Sequence, residues 1–149
     1  MEKHLYSAIT AALEAGKAIL EIYQSGVFDI QVKGDNSPLT KADMASHQKI
    51  AAYLEKTNIP ILSEEGKAIP FKERKGWKQL WIVDPIDGTK EFIKRNGEFT
   101  VNIALIENQK PSIGVIFVPA TKDLYFSTRE KGAFKLSVDL ENYDVTTIV

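Results

Sequence analysis

The chain has 149 residues, a formal net charge of -1 and no cysteine. Its length suits one domain with a substantial core, and 44% hydrophobic with 26% charged residues is ordinary for a soluble globular protein. This balance gives no reason to expect binding to nucleic acid or anionic membranes, and the lack of cysteine excludes disulfides and thiolate chemistry. The sequence has no run of about 18 apolar residues and no signal-peptide pattern, so we expect no membrane insertion and a cytoplasmic protein.

The amino-terminal part predicts one helix and one strand. Residues 3–24 carry apolar side chains at helical spacing, which predicts an amphipathic helix that Ser25 and Gly26 end. Residues 28–33 alternate between apolar and polar, which predicts a half-buried strand. The turn-forming residues of 34–38 then predict a loop.

A second helix is predicted from Thr40 to about Lys56. Thr40 and Asp43 have the spacing of a capping box, in which two side chains satisfy free N–H groups at the helix start. One face of this helix carries four residues at helical spacing, namely Asp43, His47, Ile50 and Leu54. Because the last two are apolar, we expect Asp43 to point toward the interior.

The rest of the chain predicts short strands around one short helix. Residues 60–63 and 80–83 predict buried strands, the polar segment 67–79 predicts a surface loop, and residues 87–93 predict a helix. Four more strands are predicted by alternation or by hairpin spacing, at 99–105, 113–117, 124–127 and 133–138. Two helices followed by hairpin strands predict an α+β fold, a layered α/β sandwich with two helices packed on a mainly antiparallel sheet.

The stretch Trp81–Phe92 is an apolar run that stops at two carboxylates. Pro85 lacks an N–H group and disfavours helical backbone at Asp84, so we expect the strand to end at Asp84. Gly88 permits a tight turn and close backbone approach. The helix predicted to begin near Thr89 offers free N–H groups and a positive dipole end, which suit a phosphate.

Four carboxylates follow the two predicted buried strands. Asp84 and Asp87 are close enough in sequence to converge, and Glu64 and Glu65 follow the earlier strand. If these strands are parallel neighbours, all four emerge at the same edge of the sheet. Clustered carboxylates repel one another unless a cation lies among them, and oxygen ligands favour Mg²⁺, Ca²⁺ or Mn²⁺ over zinc. A two-metal site could generate a hydroxide nucleophile and stabilise a leaving oxygen.

Simpler interpretations exist for each of these residues. Asp84 and Asp87 could be acids that favour a helix start, Asp43 could be only a cap, and Glu64 could be a solvated loop acid. Glu65 is expected at the surface, or at most in a supporting position. Three cations could face either phosphate or solvent, namely Lys33, Lys90 and Arg95. Three aromatic residues are expected to pack inside the protein, namely His47, Trp77 and Trp81.

Three segments carry a family resemblance, in this order: Lys-Gly-Asp-Asn-Ser-Pro-Leu-Thr-Lys-Ala-Asp at 33–43, Ile-Leu-Ser-Glu-Glu at 61–65, and the stretch 81–92. Together they resemble the lithium-sensitive, Mg²⁺-dependent phosphomonoesterase superfamily of inositol monophosphatases, fructose-1,6-bisphosphatases and 3'(2'),5'-bisphosphate nucleotidases. Asp-Gly-Thr-Lys-Glu-Phe at 87–92 and Asn-Gly-Glu-Phe-Thr-Val-Asn-Ile-Ala-Leu at 96–105 favour the CysQ-type nucleotidases. The resemblance extends over nearly the whole chain.

The resemblance implies a role for each matching residue. Asp43 and Thr89 would be catalytic, because the Thr89 hydroxyl, oriented by Asp43, would help to activate the attacking water. The ligands of two or three Mg²⁺ ions would be the carboxylates of Glu64, Asp84 and Asp87 and the backbone carbonyl of Ile86. The substrate site would consist of Glu64, Ile86, Asp87, Gly88 and Thr89, with the N–H groups of the last two on the phosphate and Lys33 near the metal waters.

The resemblance also implies a substrate, a small-molecule phosphate ester. Adenosine 3',5'-bisphosphate would lose its 3'-phosphate to give AMP and phosphate. The alternative within the same superfamily is an inositol phosphate or a sugar bisphosphate. The sequence separates these substrates only through Lys90 and Glu91 after the threonine.

Members of this superfamily also carry a carboxyl-terminal domain, which supplies a further metal-binding aspartate in a Trp-Asp-x-Ala-Ala motif and most of the nucleoside contacts. Residues 1–149 contain no match to that motif, so we expect this chain to be the metal-binding amino-terminal domain alone. A third interpretation is a catalytically incomplete fragment that binds metal or a partner. Its surface toward the second domain would then be expected to self-associate.

Overall fold

The computed structural model describes residues 2–149 and has two long helices packed on one six-stranded sheet. This confirms the predicted α+β sandwich. The helices are α1 (Glu2–Ser25), α2 (Lys41–Leu54), α3 (Phe71–Arg74), α4 (Thr89–Lys94) and α5 (Val145–Ile148). The strands are β1 (Gln31–Val32), β2 (Pro38–Leu39), β3 (Ile61–Ser63), β4 (Gln79–Asp87), β5 (Thr100–Glu107), β6 (Lys110–Val118), β7 (Asp123–Thr128) and β8 (Gly132–Ser137).

The main sheet has the strand order β3-β4-β5-β6-β7-β8. Only β3 and β4 are parallel, with Ser63 opposite Val83, and every later neighbour is antiparallel. The condition for Glu64, Glu65, Asp84 and Asp87 to emerge at one edge, that their two strands are parallel neighbours, is therefore met. It places the end of β3 beside the middle of β4.

The core lies between this sheet and the helices α1 and α2. Alternate strand residues such as Val83, Ile103 and Val115 are buried on the face that the helices cover. Gly16 allows α1 to approach β6 closely, since a Cβ atom there would lie 2.2 Å from the Phe117 ring. Among residues 2–149, no helix is both long and apolar enough to cross a membrane.

The opposite face of the sheet is open. A groove of about 630 Å³ runs across it over β3 to β6. Its floor includes Leu62, Ile82 and Ala104, and the side chains of Ile82 and Ile116 are exposed. The same groove reaches Glu64 and Asp84 at one end, so the open face and the carboxylates adjoin.

The strand predicted over 28–33 is wrong in extent and burial. Only Gln31 and Val32 form a strand, paired with β2 in a two-stranded ribbon apart from the main sheet. Ile30 is 54% exposed and Val32 is 71% exposed. Phe28 alone enters the core, where its ring lies 4.6 Å from that of Phe92. Alternation predicted a buried face, but no second layer covers this ribbon.

The end of the strand predicted at Asp84 is also wrong. The strand β4 continues through Pro85 to Asp87. Asp84 pairs with Asn102 and Asp87 with Thr100, so two residues of β4 lie opposite one residue of β5 in a β-bulge. A proline fits there because a bulged residue needs no N–H group for the ladder.

Candidate functional site

The end of β3 and the bulge of β4 bring the predicted carboxylates to one edge of the sheet. Glu64 follows directly on β3, and its N–H donates to the Val83 carbonyl at 3.1 Å. This hydrogen bond extends the parallel pairing by one step and fixes Glu64 beside Asp84. Asp87 lies at the end of the bulge, and its exposed side chain lines a cleft that Glu64 and Asp84 also line.

Asp84 has the most unusual electrostatics of this group. Its Oδ1 atom is buried and has no hydrogen-bond partner. Burial raises the pKa of Asp84 from 3.8 to about 7, and the negative charges of Glu64 and Asp87 add to the shift. A buried carboxylate oxygen without a donor is costly, so this edge is not arranged for stability alone.

Lys33 is the nearest cation to these carboxylates. Its Nζ lies 3.4 Å from Glu64 Oε1 and also donates to Glu65 Oε1. Burial lowers the pKa of Lys33, but the two ion pairs outweigh that effect and the pKa is raised. The side chain of Glu65 is only 7% exposed. Glu65 is therefore not at the surface, and its contact with Lys33 gives it the supporting position that was expected at most.

The donor set fits a hard divalent cation. Within residues 2–149, no three acidic or histidine side chains surround a common point as they stand. Glu64 is turned toward Lys33, which partly neutralises it in place of a metal. The free Asp84 oxygen and the exposed Asp87 carboxylate nonetheless offer oxygen donors, which favour Mg²⁺ or Ca²⁺, and a cation would relieve the charge repulsion that contributes to the raised pKa of Asp84.

Asp43 and Thr89 meet, although 46 residues separate them in the sequence. The Thr89 hydroxyl donates to Asp43 Oδ1 at 2.9 Å, and the other oxygen, Oδ2, accepts from the N–H and hydroxyl of Thr40 at 2.8 and 2.6 Å. Asp43 is fully buried. It therefore caps α2 and binds Thr89 at the same time, and the capping-only interpretation is incomplete.

Gly88 joins the bulge to α4. Its φ of 94° is in the left-handed region, and a Cβ atom would lie 2.7 Å from the Glu98 carbonyl oxygen, so no other residue fits without displacement. The adjoining cleft has a volume of about 240 Å³. It is lined by predicted site residues and their neighbours, including Lys33, Glu64, Asp84, Ile86, Asp87, Gly88, Thr89 and Lys90.

Other candidates lie outside the cleft. The guanidinium of Arg95 lies over the Tyr23 ring, 4.8 Å from its centroid, which leaves it no phosphate-facing role. His47 Nδ1 lies 2.9 Å from Ser63 Oγ, and Trp81 is fully buried, so both pack as expected. Ser46 was not among the predicted site residues, and its hydroxyl donates to the Pro85 carbonyl at 2.7 Å. Its position one turn after Asp43, on the inward side of α2, was the available signal.

Comparisons of sequence and of structure both find similarity to inositol monophosphatase family proteins. A profile of the inositol monophosphatase family matches residues 1–148. The 3'(2'),5'-bisphosphate nucleotidase CysQ of Escherichia coli is 47% identical over 123 residues, which cover 80% of this chain and 50% of that protein. The crystal structure of CysQ from Bacteroides thetaiotaomicron superposes with a TM-score of 0.84 at 49% identity, covering 99% of this chain and 55% of that one.

A more distant structure shares the fold. It is an IMPase/NADP phosphatase complexed with Mg²⁺ and phosphate, with a TM-score of 0.70 and 24% identity over 80% of this chain and 45% of that one. The chain spans about half the length of the curated relatives it matches.

Proposed function

Because this chain belongs to the inositol monophosphatase family, we propose that it is the metal-binding domain of a Mg²⁺-dependent phosphomonoesterase. The observation that carries the proposal is the buried, unpartnered Asp84 oxygen beside Glu64, at the mouth of a cleft that ends on Gly88 and Thr89. A structural carboxylate would have found a donor. This one is left for a cation.

Four groups, three on β4 at its bulge and one directly after β3, would hold the cations. They are the carboxylates of Glu64, Asp84 and Asp87 and the backbone carbonyl of Ile86. When bound, Mg²⁺ makes a water more acidic and neutralises charge on the phosphoryl group and its leaving oxygen. Lys33 can move from Glu64 to the phosphate, because it stays anchored through Glu65.

The phosphate would bind at the start of α4. The N–H groups of Gly88 and Thr89 lie at the cleft and are not used by the first turn of the helix. The open backbone at Gly88 lets the phosphate approach without meeting a side chain. Lys90 lines the same cleft and adds a positive charge at its rim.

Thr89 and Asp43 would accept the proton that the attacking water loses. Since the Thr89 hydroxyl already donates to Asp43, its lone pairs are free to accept a hydrogen bond from the attacking water. As the water loses its proton, the Thr89 hydroxyl can pass its own proton to Asp43 and accept that of the water. Burial of Asp43 and its bonds from Thr40 hold this geometry fixed.

The substrate we propose is adenosine 3',5'-bisphosphate, hydrolysed at the 3'-phosphate to AMP and phosphate. The support is the identity with proteins named as 3'(2'),5'-bisphosphate nucleotidases. An inositol phosphate or a sugar bisphosphate is the alternative within the same family. Every step above applies equally to these esters, so the difference lies in which ester enters the cleft.

The test is release of phosphate from adenosine 3',5'-bisphosphate in the presence of Mg²⁺, by this chain and by any longer product of its gene. The proposal predicts release that requires Mg²⁺ and falls on addition of Li⁺. Turnover of inositol phosphate but not of the nucleotide would reject the substrate and keep the reaction class. No release from any of these esters would reject the reaction class.

The open face of the sheet supports a second proposal, that two copies of this chain associate through it. Leu62, Ile82, Ala104 and Ile116 form an apolar floor that a second copy could cover, while the carboxylates of Glu64 and Asp84 lie only at one end of the groove. Sedimentation velocity tests it. A concentration-dependent dimer that Ile116→Lys disrupts is expected, and a monomer at all concentrations contradicts it.

A further inference from the structure

The bulge of β4 lacks the support that the sheet gives to the rest of the strand. Pro85 and Ile86 lie between the last regular pair, Asp84 with Asn102, and the next pair, Asp87 with Thr100. Pro85 has no N–H group, and its buried carbonyl is outside the β-ladder. A buried carbonyl needs a donor from elsewhere.

Ser46 supplies that donor. Its hydroxyl donates to the Pro85 carbonyl at 2.7 Å, across 39 residues of sequence, and the serine is fully buried. A serine in the middle of a helix ordinarily bonds back to its own helix or faces solvent. Here the hydroxyl leaves α2 and joins the bulge, three residues after Asp43 binds Thr89 from the same helix.

We infer that Ser46 is a positioning residue, which holds the Pro85–Ile86 segment so that the groups on either side of it keep the geometry of the cation site. This deepens the proposed function and rests on it. The peptide that Ser46 fixes lies between the Asp84 carboxylate and the Ile86 carbonyl. Rotation of that peptide would move both proposed ligands at once, whereas the ladder holds Asp84 and Asp87 only by their partners on β5.

The test compares Ser46→Ala with Ser112→Ala. Ser112 is also buried, and its hydroxyl donates to Glu107 at the other end of the strands, so it matches the loss of one buried hydroxyl without touching the bulge. Hydrogen exchange of the metal-free proteins comes first. We expect the amides of residues 86–89 to exchange about tenfold faster in S46A and to be unchanged in S112A. Calorimetry should then show about tenfold weaker Mg²⁺ binding in S46A alone.

Exchange at residues 86–89 that matches the wild type, or that rises equally over β6 and β7, would overturn the inference. If the wild-type chain binds no Mg²⁺ in any form, the proposed function fails, while the exchange measurement still decides the role of Ser46. Ser46→Cys, which keeps the size of the side chain with a weaker donor, provides the same readout if the alanine variant does not fold.

Discussion

Two carboxylates on neighbouring strands, Asp84 and Glu107, differ in their hydrogen bonding and in the direction of their pKa shifts. Asp84 on β4 has a buried oxygen without a donor, and burial beside Glu64 raises its pKa to about 7. Glu107, at the far end of β5, accepts from the Ser112 hydroxyl and from Gln79 Nε2 at 2.7 Å, and these bonds lower its pKa. At one end of the sheet the carboxylate of Glu107 has hydrogen-bond donors. At the other end a carboxylate oxygen of Asp84 has none, and such a free oxygen is what a cation site requires.

The largest expected difference between the two ends is in catalysis. Thr89→Val keeps the shape of the side chain and removes the hydroxyl that links Asp43 to the cleft. We expect kcat to fall about 100-fold or more, as for loss of a group that takes part in proton transfer, and Thr89→Ser to restore most of it. Phosphate release measures this. Glu107→Gln, at the far end, should leave kcat unchanged, and equal losses in T89V and E107Q would contradict the assignment.

Stability should change with opposite sign at the two ends. In the metal-free chain at pH 8, Asp84→Asn removes a buried charge and should raise the free energy of unfolding by about 2 kcal/mol, allowing for screening by water at the cleft. Glu107→Gln replaces the carboxylate that accepts from the Gln79 amide by a second, uncharged amide. It should lower the free energy of unfolding by about 1 kcal/mol. Urea denaturation gives both values. Destabilisation by D84N would mean that the Asp84 carboxylate serves the fold.

The pH dependence of stability should separate the same two residues. Asp84 keeps its proton to about pH 7 when folded but loses it near 3.8 when unfolded, so the folded chain binds more protons in between. The free energy of unfolding of the metal-free chain should therefore fall as the pH rises through this window. The lowered pKa of Glu107 works the other way, because its contribution is present above 4.5 and is lost as the pH falls further.

Denaturation at pH 5 and pH 8 measures the Asp84 effect. The decline between these two values should shrink in D84N and persist in E107Q. A decline of the same size in D84N and the wild type would place its origin outside the carboxylate cluster.

The smallest expected effect concerns the lysine that neutralises the cluster. Glu65→Gln leaves Lys33 with Glu64 as its only acidic partner and should lower the free energy of unfolding by about 1 kcal/mol. The exposed pair of Lys131 with Glu2 provides the control, and Glu2→Gln should have no measurable effect. An equal response of the two pairs in thermal denaturation would show that Lys33 is an ordinary surface cation.

Local patterns in the sequence predicted the fold, whereas the family resemblance supplied many of the residues that line the cleft. The alternation of β5 and β6 sets which face is buried, and Thr40 with Asp43 marks the start of α2. The buried position of Glu65 and the bulge at Pro85 depend on elements far away in sequence. The ion pair of Lys33 with Glu65 leaves no local pattern, and the spacing of Ser46 from Asp43 indicates an inward position but not its partner at Pro85.

The central claim is the cation site. Calorimetric titration of Mg²⁺ into the metal-free chain at pH 8 tests this claim most directly. Three proteins are compared, namely the wild type, D84N and E107Q. The account predicts binding by the wild type and by E107Q with equal affinity, and at least about tenfold weaker binding by D84N, since even outer partners of a metal matter on that scale. Equal heats for all three proteins, or none from the wild type, would contradict it.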